Sequence, residues 1–354
     1  VKGLLLEVKE MVDQLVQGED EIAKWVEGRK KAITRVERIP GDASTRRYYR
    51  IHTQERSFIL MKAESFSQEG MSWPFLVVQK HLETCGIDVP QVFDVDADRG
   101  YVLLEDLGDI TLLRKLQDVS SKDVERSLYE NVLNSLVDLH IRAAPEGSGA
   151  KLEAFKLRFD HEKLFWEVNF TVEHFYDKYL ARTFTAEDRK IMLEGLSEIC
   201  WTLDKQPTVF THRDFHSRNV MVCPKEGGTE RFAMIDFQDA RMGPAQYDLA
   251  SLLRDSYYQL EESQIDLLLD YYVARYAALS GQTFDRTEFR RVFDLMSVQR
   301  NFKAIGSFAS FLNRRGNPGY LKYIGNTFEN IRRTLLKYPE YSRLREVLFH
   351  YYYF

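Results

Sequence analysis

The run Thr211-His212-Arg213-Asp214-Phe215-His216-Ser217-Arg218-Asn219, followed by Met234-Ile235-Asp236-Phe237-Gln238-Asp239, constrains this chain more than any other stretch. The first piece reads H-R-D-x-x-x-x-N, and the second is an apolar run that delivers an aspartate. One carboxylate facing a hydroxyl, with an amide and a second carboxylate to hold magnesium on ATP, is the set that phosphoryl transfer asks for. Its transition state is loose, so fixed geometry and charge stabilisation carry most of the catalysis. Strand-like runs at Val209-Phe210, Val220 to Val222 and Phe232 to Ile235 bracket these residues in an otherwise helical half of the chain.

The first hundred residues read differently. Apolar positions at helical spacing (Leu4, Val8, Met11, Leu15, then Ile22, Trp25, Val26) predict two short helices broken near Gly18. The period then changes: Thr34 to Ile39, Tyr48 to His52 and Phe58 to Met61 read as strands, with a turn over Pro40 to Ser44. A helix through Phe75, Val78, Leu82 and Cys85 stops at Gly86, and Gln91 to Val95 with Tyr101 to Glu105 form a hairpin closed at Asp98-Arg99-Gly100. Beyond Gly108, Val124, Leu128, Val132, Leu136 and Leu139 trace a long amphipathic helix. Pro145 to Gly149 is a loop, and an aromatic-rich helix spans about His161 to Arg182. The expected class is α+β, a protein-kinase-like two-lobe fold. Residues 1–104 make a small antiparallel sheet lobe for the nucleotide, 105–108 a hinge, and 109–354 a large helical lobe for catalysis and the acceptor.

Bulk properties narrow the partners. A length of 354 residues exceeds what one core usually holds, which agrees with two lobes. The net charge of -5 argues against a nucleic-acid partner, which would require a basic surface. Cys85, Cys200 and Cys223 are scattered and odd in number, so neither a disulfide framework nor a zinc site is expected. Charged residues interrupt every apolar run, so neither a signal segment nor a membrane span is expected, and the cytoplasm is the expected compartment.

Each motif residue has an expected task. Asp214 orients and deprotonates the acceptor hydroxyl; Asn219 and Asp236 are the magnesium ligands. His216 lies two positions after the base, and Arg218 in the same loop can offset phosphate charge, whereas Arg213 reads as a structural partner. Asp239 is either a further metal contact or a loop brace, and Asp248 is expected to brace the catalytic loop by accepting backbone amides. In the sheet lobe, Ser44 and Thr45 at the Gly41 turn and Lys62 at the end of its strand are the phosphate contacts. Glu69 and Glu83 are both candidates to pair with Lys62, and backbone groups of Glu105 and Leu107 read the adenine. Too few residues separate Asp236 from Asp248 to hold an activation segment, and neither A-P-E nor G-x-G-x-x-G occurs, which excludes an ordinary protein kinase.

Gly41-Asp42-Ala43-Ser44, Leu103-Leu104-Glu105-Asp106-Leu107-Gly108, His212-Arg213-Asp214 and Asp236-Phe237-Gln238-Asp239-Ala240 together resemble the aminoglycoside phosphotransferase family. Gln299-Arg300-Asn301-Phe302-Lys303-Ala304-Ile305-Gly306, followed by Asn317-Pro318-Gly319-Tyr320-Leu321, is similar to its subgroup of bacterial cell-wall amino-sugar kinases. That subgroup often lacks a lysine at the end of the third strand, where this chain has Lys62. The resemblance implies an ATP- and magnesium-dependent kinase acting on the anomeric hydroxyl of N-acetylmuramate or N-acetylglucosamine. Glu167, Asn169, His174, Arg300 and Asn301 are the acceptor-pocket candidates, while Phe165, Trp166, Phe170, Phe175 and Tyr176 read mostly as core. One alternative keeps the chemistry but takes an aminoglycoside, a choline-like alcohol or another small alcohol. Another is a catalytically silent kinase-fold sensor or scaffold. An acidic pocket would favour the polycationic acceptor and a neutral aromatic one the sugar.

Overall fold

Five antiparallel strands form the larger sheet, in the order β1-β2-β3-β5-β4: β1 Ile33–Ile39, β2 Arg47–Thr53, β3 Ser57–Lys62, β4 Val92–Asp96 and β5 Tyr101–Glu105. The computed structural model describes residues 19–29, 33–40, 46–145, 152–224 and 230–354. The expected helices before residue 19, the turn over 41–45 with Ser44 and Thr45, and most of the loop after Pro145 lie outside the described residues. The chain divides into two compact units. One comprises Val1–Trp73 with Pro90–Leu107, the other Pro74–Val89 with Gly108–Phe354.

In the first unit, alternation decides which face is covered. Tyr49 and Ile51 of β2, Phe58 and Leu60 of β3, and Tyr101 and Leu103 of β5 bury side chains against Ile22, Trp25 and Val26 of a helix over residues 19–27. Burying a large apolar side chain stabilises by roughly 1.5–3 kcal/mol, so this cluster holds helix and sheet together. The Trp25 indole N–H also donates to Asp96 Oδ2 at 2.7 Å and its ring meets Tyr101 edge-on. The β4–β5 hairpin turns at Gly100, whose φ is +68° and where a Cβ would lie 2.4 Å from the Ala63 carbonyl oxygen. Only glycine fits there. Where this sheet ends, Arg50 grips Asp106 in a two-point ion pair, Nε–Oδ2 at 2.8 Å and Nη2–Oδ1 at 3.2 Å, both side chains largely buried.

The second unit is helical. Its elements are α1 Pro74–Thr84, α2 Leu112–Gln117, α3 Lys122–Arg142, α4 His161–Thr171, α5 Ala186–Asp204, α6 Gln246–Leu253, α7 Glu262–Ser280, α8 Arg286–Arg315, α9 Ile324–Leu335 and α10 Ser342–Tyr353. A π-helical segment, Val172–Tyr179, continues α4. Two small antiparallel pairs, β6 Val209–Thr211 with β9 Arg241–Gly243 and β7 Val220–Pro224 with β8 Glu230–Met234, carry the motif residues. Helix α8 is the spine of the unit. Asp285 caps its start by accepting the Glu288 N–H at 2.9 Å, and Gly316 ends it in the left-handed region at φ +64°. Most of its residues from Val292 to Ala309 are buried, because α4, α5, α6 and α9 all pack on it. Its contact with α4 is close at Gly306, where a Cβ would fall 2.3 Å from Thr171 Oγ1. The Thr171 hydroxyl donates across this contact to the Phe302 carbonyl at 3.0 Å. Among the described residues, no helix is long and apolar enough to cross a membrane.

Candidate active site

Strand β6 hands the chain to the catalytic loop, and a buried carboxylate holds the first turn. Asp248, at the start of α6, accepts the His212 N–H at 2.7 Å and the Arg213 N–H at 2.9 Å, and His140 Nε2 stands 3.1 Å from Oδ2. Asp248 is thus a loop brace. Asp255 holds the far side by accepting the Ser217 N–H at 2.9 Å and the Ser217 hydroxyl. Of the three non-glycine residues that take positive φ among the described residues, two lie here, Arg213 at +81° and Asp236 at +66°. Backbone strain of this kind persists only where surrounding bonds over-determine it, and here it flanks the motif carboxylates.

Asp214 lies on the side of the loop that faces α8. Its Oδ1 accepts from Arg300 Nη2 at 2.9 Å and Lys303 Nζ at 3.2 Å. Burial alone would raise its carboxyl, but Lys303, Arg300 and Arg213 outweigh that and hold it well below the usual carboxylate range. Arg300 is itself fixed, its Nε donating to Ser251 Oγ at 2.9 Å and its guanidinium lying over the Tyr247 ring. Burial pushes His216 down to about 3, so its ring is neutral; it meets Tyr257 edge-on. The Arg218 guanidinium stacks 5.0 Å from Tyr257 and 5.8 Å from Tyr320. Arg213 pairs with Asp239 at 3.0 Å, a structural link for both.

Asn219 and Asp236 lie on the other side of the loop. Asn219 Nδ2 donates to the Asp214 carbonyl at 3.0 Å and lies 3.5 Å from Asp236 Oδ2, and Gln238 Nε2 donates to Asp236 Oδ1 at 2.8 Å. The Ile235 N–H to Asn219 carbonyl bond, 3.0 Å, ties the two motif pieces together. No group of three or more His, Cys, Asp or Glu is placed to hold a metal among the described residues. An exposed carboxylate beside an amide is nevertheless the donor set that fits magnesium, which takes few protein ligands and fills its octahedron with water and phosphate oxygens.

The acceptor candidates separate. Glu167 is buried on α4, accepts from Gln299 Nε2 at 3.1 Å and lies 3.8 Å from Lys163 Nζ, so it joins the network of Gln299 and Arg300 next to Asp214. Asn169 is exposed and bonds back to the Phe165 carbonyl of its own helix. His174 is taken up by Asn313 and Arg314 near the far end of α8, and Asn301 by Ser297 and by Asn330 of α9. These three are held by neighbours that do not reach Asp214. Trp166, read as core, is instead 55% exposed, with Lys163 Nζ 4.0 Å from its ring centroid. Lys303 was missed, although its spacing from Arg300 places both on one helix face.

In the first unit Lys62 ends β3 with its ammonium 5.4 Å from the Tyr101 ring, and among the described residues of that unit it makes no ion pair with a carboxylate. Glu69 is exposed before a single 3-10 turn, and Glu83 of the second unit pairs with Lys80 at 2.9 Å. The Glu105 N–H is used by the Gln91 carbonyl at 2.9 Å, and Leu107 is buried.

Comparison with known proteins gives a consistent picture. A model described as the phosphotransferase enzyme family matches residues 35–289. An N-acetylmuramate/N-acetylglucosamine kinase of Neisseria meningitidis serogroup B is 34% identical over 310 residues, covering 87% of each chain. A protein of the same name from Pseudomonas aeruginosa is 32% identical over 313 residues, 87% of this chain and 86% of its own. Among solved structures, the choline kinase LicA of Streptococcus pneumoniae superposes with a TM-score of 0.60 at 13% identity over 90% of this chain and 99% of its own. An ADP-bound aminoglycoside phosphotransferase does so with 0.57 at 15% identity, over 92% and 98%. At such identities these two establish the fold, which is kinase-like.

Proposed function

The chain belongs to the phosphotransferase enzyme family, and from that premise we propose that it moves the γ-phosphoryl group of ATP to the anomeric hydroxyl of N-acetylmuramate or N-acetylglucosamine. The relatives of that name support the choice along most of both chains. The observation that carries the acceptor class is the pairing of Asp214 with Arg300 and Lys303. Two cations at the base repel a polycationic aminoglycoside or a quaternary ammonium alcohol and accept a neutral or acidic sugar.

In this reading residues 1–104 carry the nucleotide contacts Ser44, Thr45 and Lys62, residues 105–108 the adenine contacts of Glu105 and Leu107, and residues 109–354 the chemistry. Asn219 and Asp236 hold magnesium, which neutralises phosphate charge when bound. Asp214 accepts a hydrogen bond from the acceptor hydroxyl and points its oxygen at the γ-phosphorus. The new P–O bond forms as the bond to the β-phosphate oxygen breaks, and the proton passes to Asp214 late, so a carboxylate of low basicity suffices. Arg300 and Lys303 fix the carboxylate rotamer, which keeps the acceptor oxygen in line.

The test is ADP release with magnesium-ATP against amino sugars, aminoglycosides and amino alcohols. Proton-coupled phosphorus NMR of the product should show a sugar 1-phosphate, and a hexose methylated at the anomeric oxygen should not react. Phosphate on the 6-hydroxyl, or turnover of cationic acceptors alone, would refute the assignment.

A further inference from the structure

Close to Asp214 the second unit carries more positive charge than that one carboxylate balances. Arg213 is paired with Asp239, Arg300 and Lys303 share the single carboxylate of Asp214, and Lys163 reaches Glu167 only at 3.8 Å. Arg241 has no carboxylate partner among the described residues. Its Nε is buried without a hydrogen bond, and its guanidinium lies 5.1 Å from the Phe159 ring centroid. Arg241 pairs across β6–β9 with Thr211, the residue that leads into the catalytic loop. Lys163, Arg213, Arg241, Glu167 and Asp239 all lie within electrostatic reach of one another.

An arginine half-withdrawn from water, with its Nε lacking a hydrogen bond and with Glu167 and Asp239 acting on it only through space, is costly, and a bound anion can supply the missing bonds. On α4, Trp166 is a largely exposed indole on the same helix face as Lys163, whose Nζ lies 4.0 Å from its ring centroid. An indole face takes the C–H face of a pyranose, while a guanidinium takes a carboxylate through two parallel hydrogen bonds. We infer that Arg241 and Lys163, with Trp166 between sugar and solvent, form a carboxylate-binding subsite that makes an acidic N-acetylated hexose the preferred acceptor over its neutral counterpart. This rests on the amino-sugar reading of the acceptor and adds the residues that choose between its two members. The subsite grips a substituent remote from the reacting oxygen, so its contribution is equal in ground and transition states and falls on KM.

The experiment compares N-acetylmuramate with N-acetylglucosamine in the wild type, Arg241→Gln and Lys163→Met. The ratio of kcat/KM for the acid to that for the neutral sugar should fall about 10- to 100-fold in Arg241→Gln, the span of a charged hydrogen bond, chiefly through KM. Equal losses with both sugars, or an unchanged ratio, overturn the proposal. Where Arg241→Gln lowers thermal stability, the same criterion applies to Lys163→Met, and Arg241→Lys should restore part of the ratio. Calorimetry of N-acetylmuramate without nucleotide reads the subsite independently of turnover: affinity should drop in Arg241→Gln, and equal affinity refutes it. A wild type that binds the acid tightly yet phosphorylates neither sugar would refute the kinase assignment and leave the subsite standing.

Discussion

The two motif aspartates live in opposite surroundings. Asp214 is held by a guanidinium and an ammonium, whereas Asp236 is exposed and, among the described residues of its own unit, meets only the amide nitrogens of Gln238 and Asn219. Both are motif residues of the same type, yet among the described residues of the second unit one carboxylate is paired with cations and the other is not. A carboxylate with no protein cation beside it is the one that recruits an external cation, and one already balanced is free to orient a hydroxyl. In the proposed reading, that difference assigns the cation to Asp236 and the acceptor hydroxyl to Asp214.

That contrast can be broken most severely at Asp236. Asp236→Ala should abolish turnover and weaken magnesium-dependent nucleotide binding by calorimetry, with thermal stability retained. Unchanged magnesium-nucleotide affinity would remove the distinction. Asp214→Asn should act on the other side alone: kcat falls about 10²–10⁴-fold while nucleotide affinity stays at the wild-type value. A joint loss would mean the two carboxylates act as one site.

A smaller change sharpens the Asp214 half. With its carboxyl held well below the ordinary range, Asp214 stays ionised, and the acid limb of kcat/KM lies below the usual carboxylate titration. Lys303→Met removes the first of the opposing cations, so the carboxyl rises and the acid limb moves to higher pH. A profile that does not move would show that Lys303 leaves Asp214 electrostatically untouched. Gly306→Ala reaches the same side through packing, because the added methyl meets Thr171. A loss of about 1–3 kcal/mol in chemical denaturation is expected, with KM for the acceptor rising as α8 and α4 separate. At the bottom of the scale, Asn169→Ala should change stability by less than about 0.5 kcal/mol and leave acceptor kinetics at wild-type values, since its side chain is exposed and bonds only to its own helix.

The strands of the first unit were legible because their alternation and turn residues act locally: β2, β3 and the β4–β5 hairpin appear within a residue or two of their expected bounds. The loop brace at Asp248 was legible as a carboxylate opening a helix, although the amides it serves lie 36 and 35 residues earlier. The acceptor side was not. Whether Glu167 or Asn169 faces Asp214 depends on how α4 lies on α8, and neighbours on one helix differ by about 100° in direction. The periodicity put all five candidates on helical segments but could not rotate them. The face containing Arg300 also contains Lys303, a spacing that a helical-wheel argument could have used. Arg241 carried no motif at all, and only the pairing of β9 with β6 brings it beside the loop.

The wide turn after Thr171 has a consequence of its own. Within Val172–Tyr179 the Leu180 N–H reaches back to the Phe175 carbonyl at 2.8 Å, five residues earlier, so each turn there holds more residues than in α4. Upstream, the helix turns Glu167 to Gln299 of α8, with Lys163 Nζ 3.8 Å from it; downstream, Phe175 and Tyr176 bury themselves against Phe328 and the Leu348 carbonyl. The segment works as a gearbox between these two tasks, resetting the angular frame midway along one rod. Residues before the gear can be exchanged without rotating the anchor behind it, whereas deleting a single residue within it would turn that anchor out of its socket while leaving the upstream side chains where they stand.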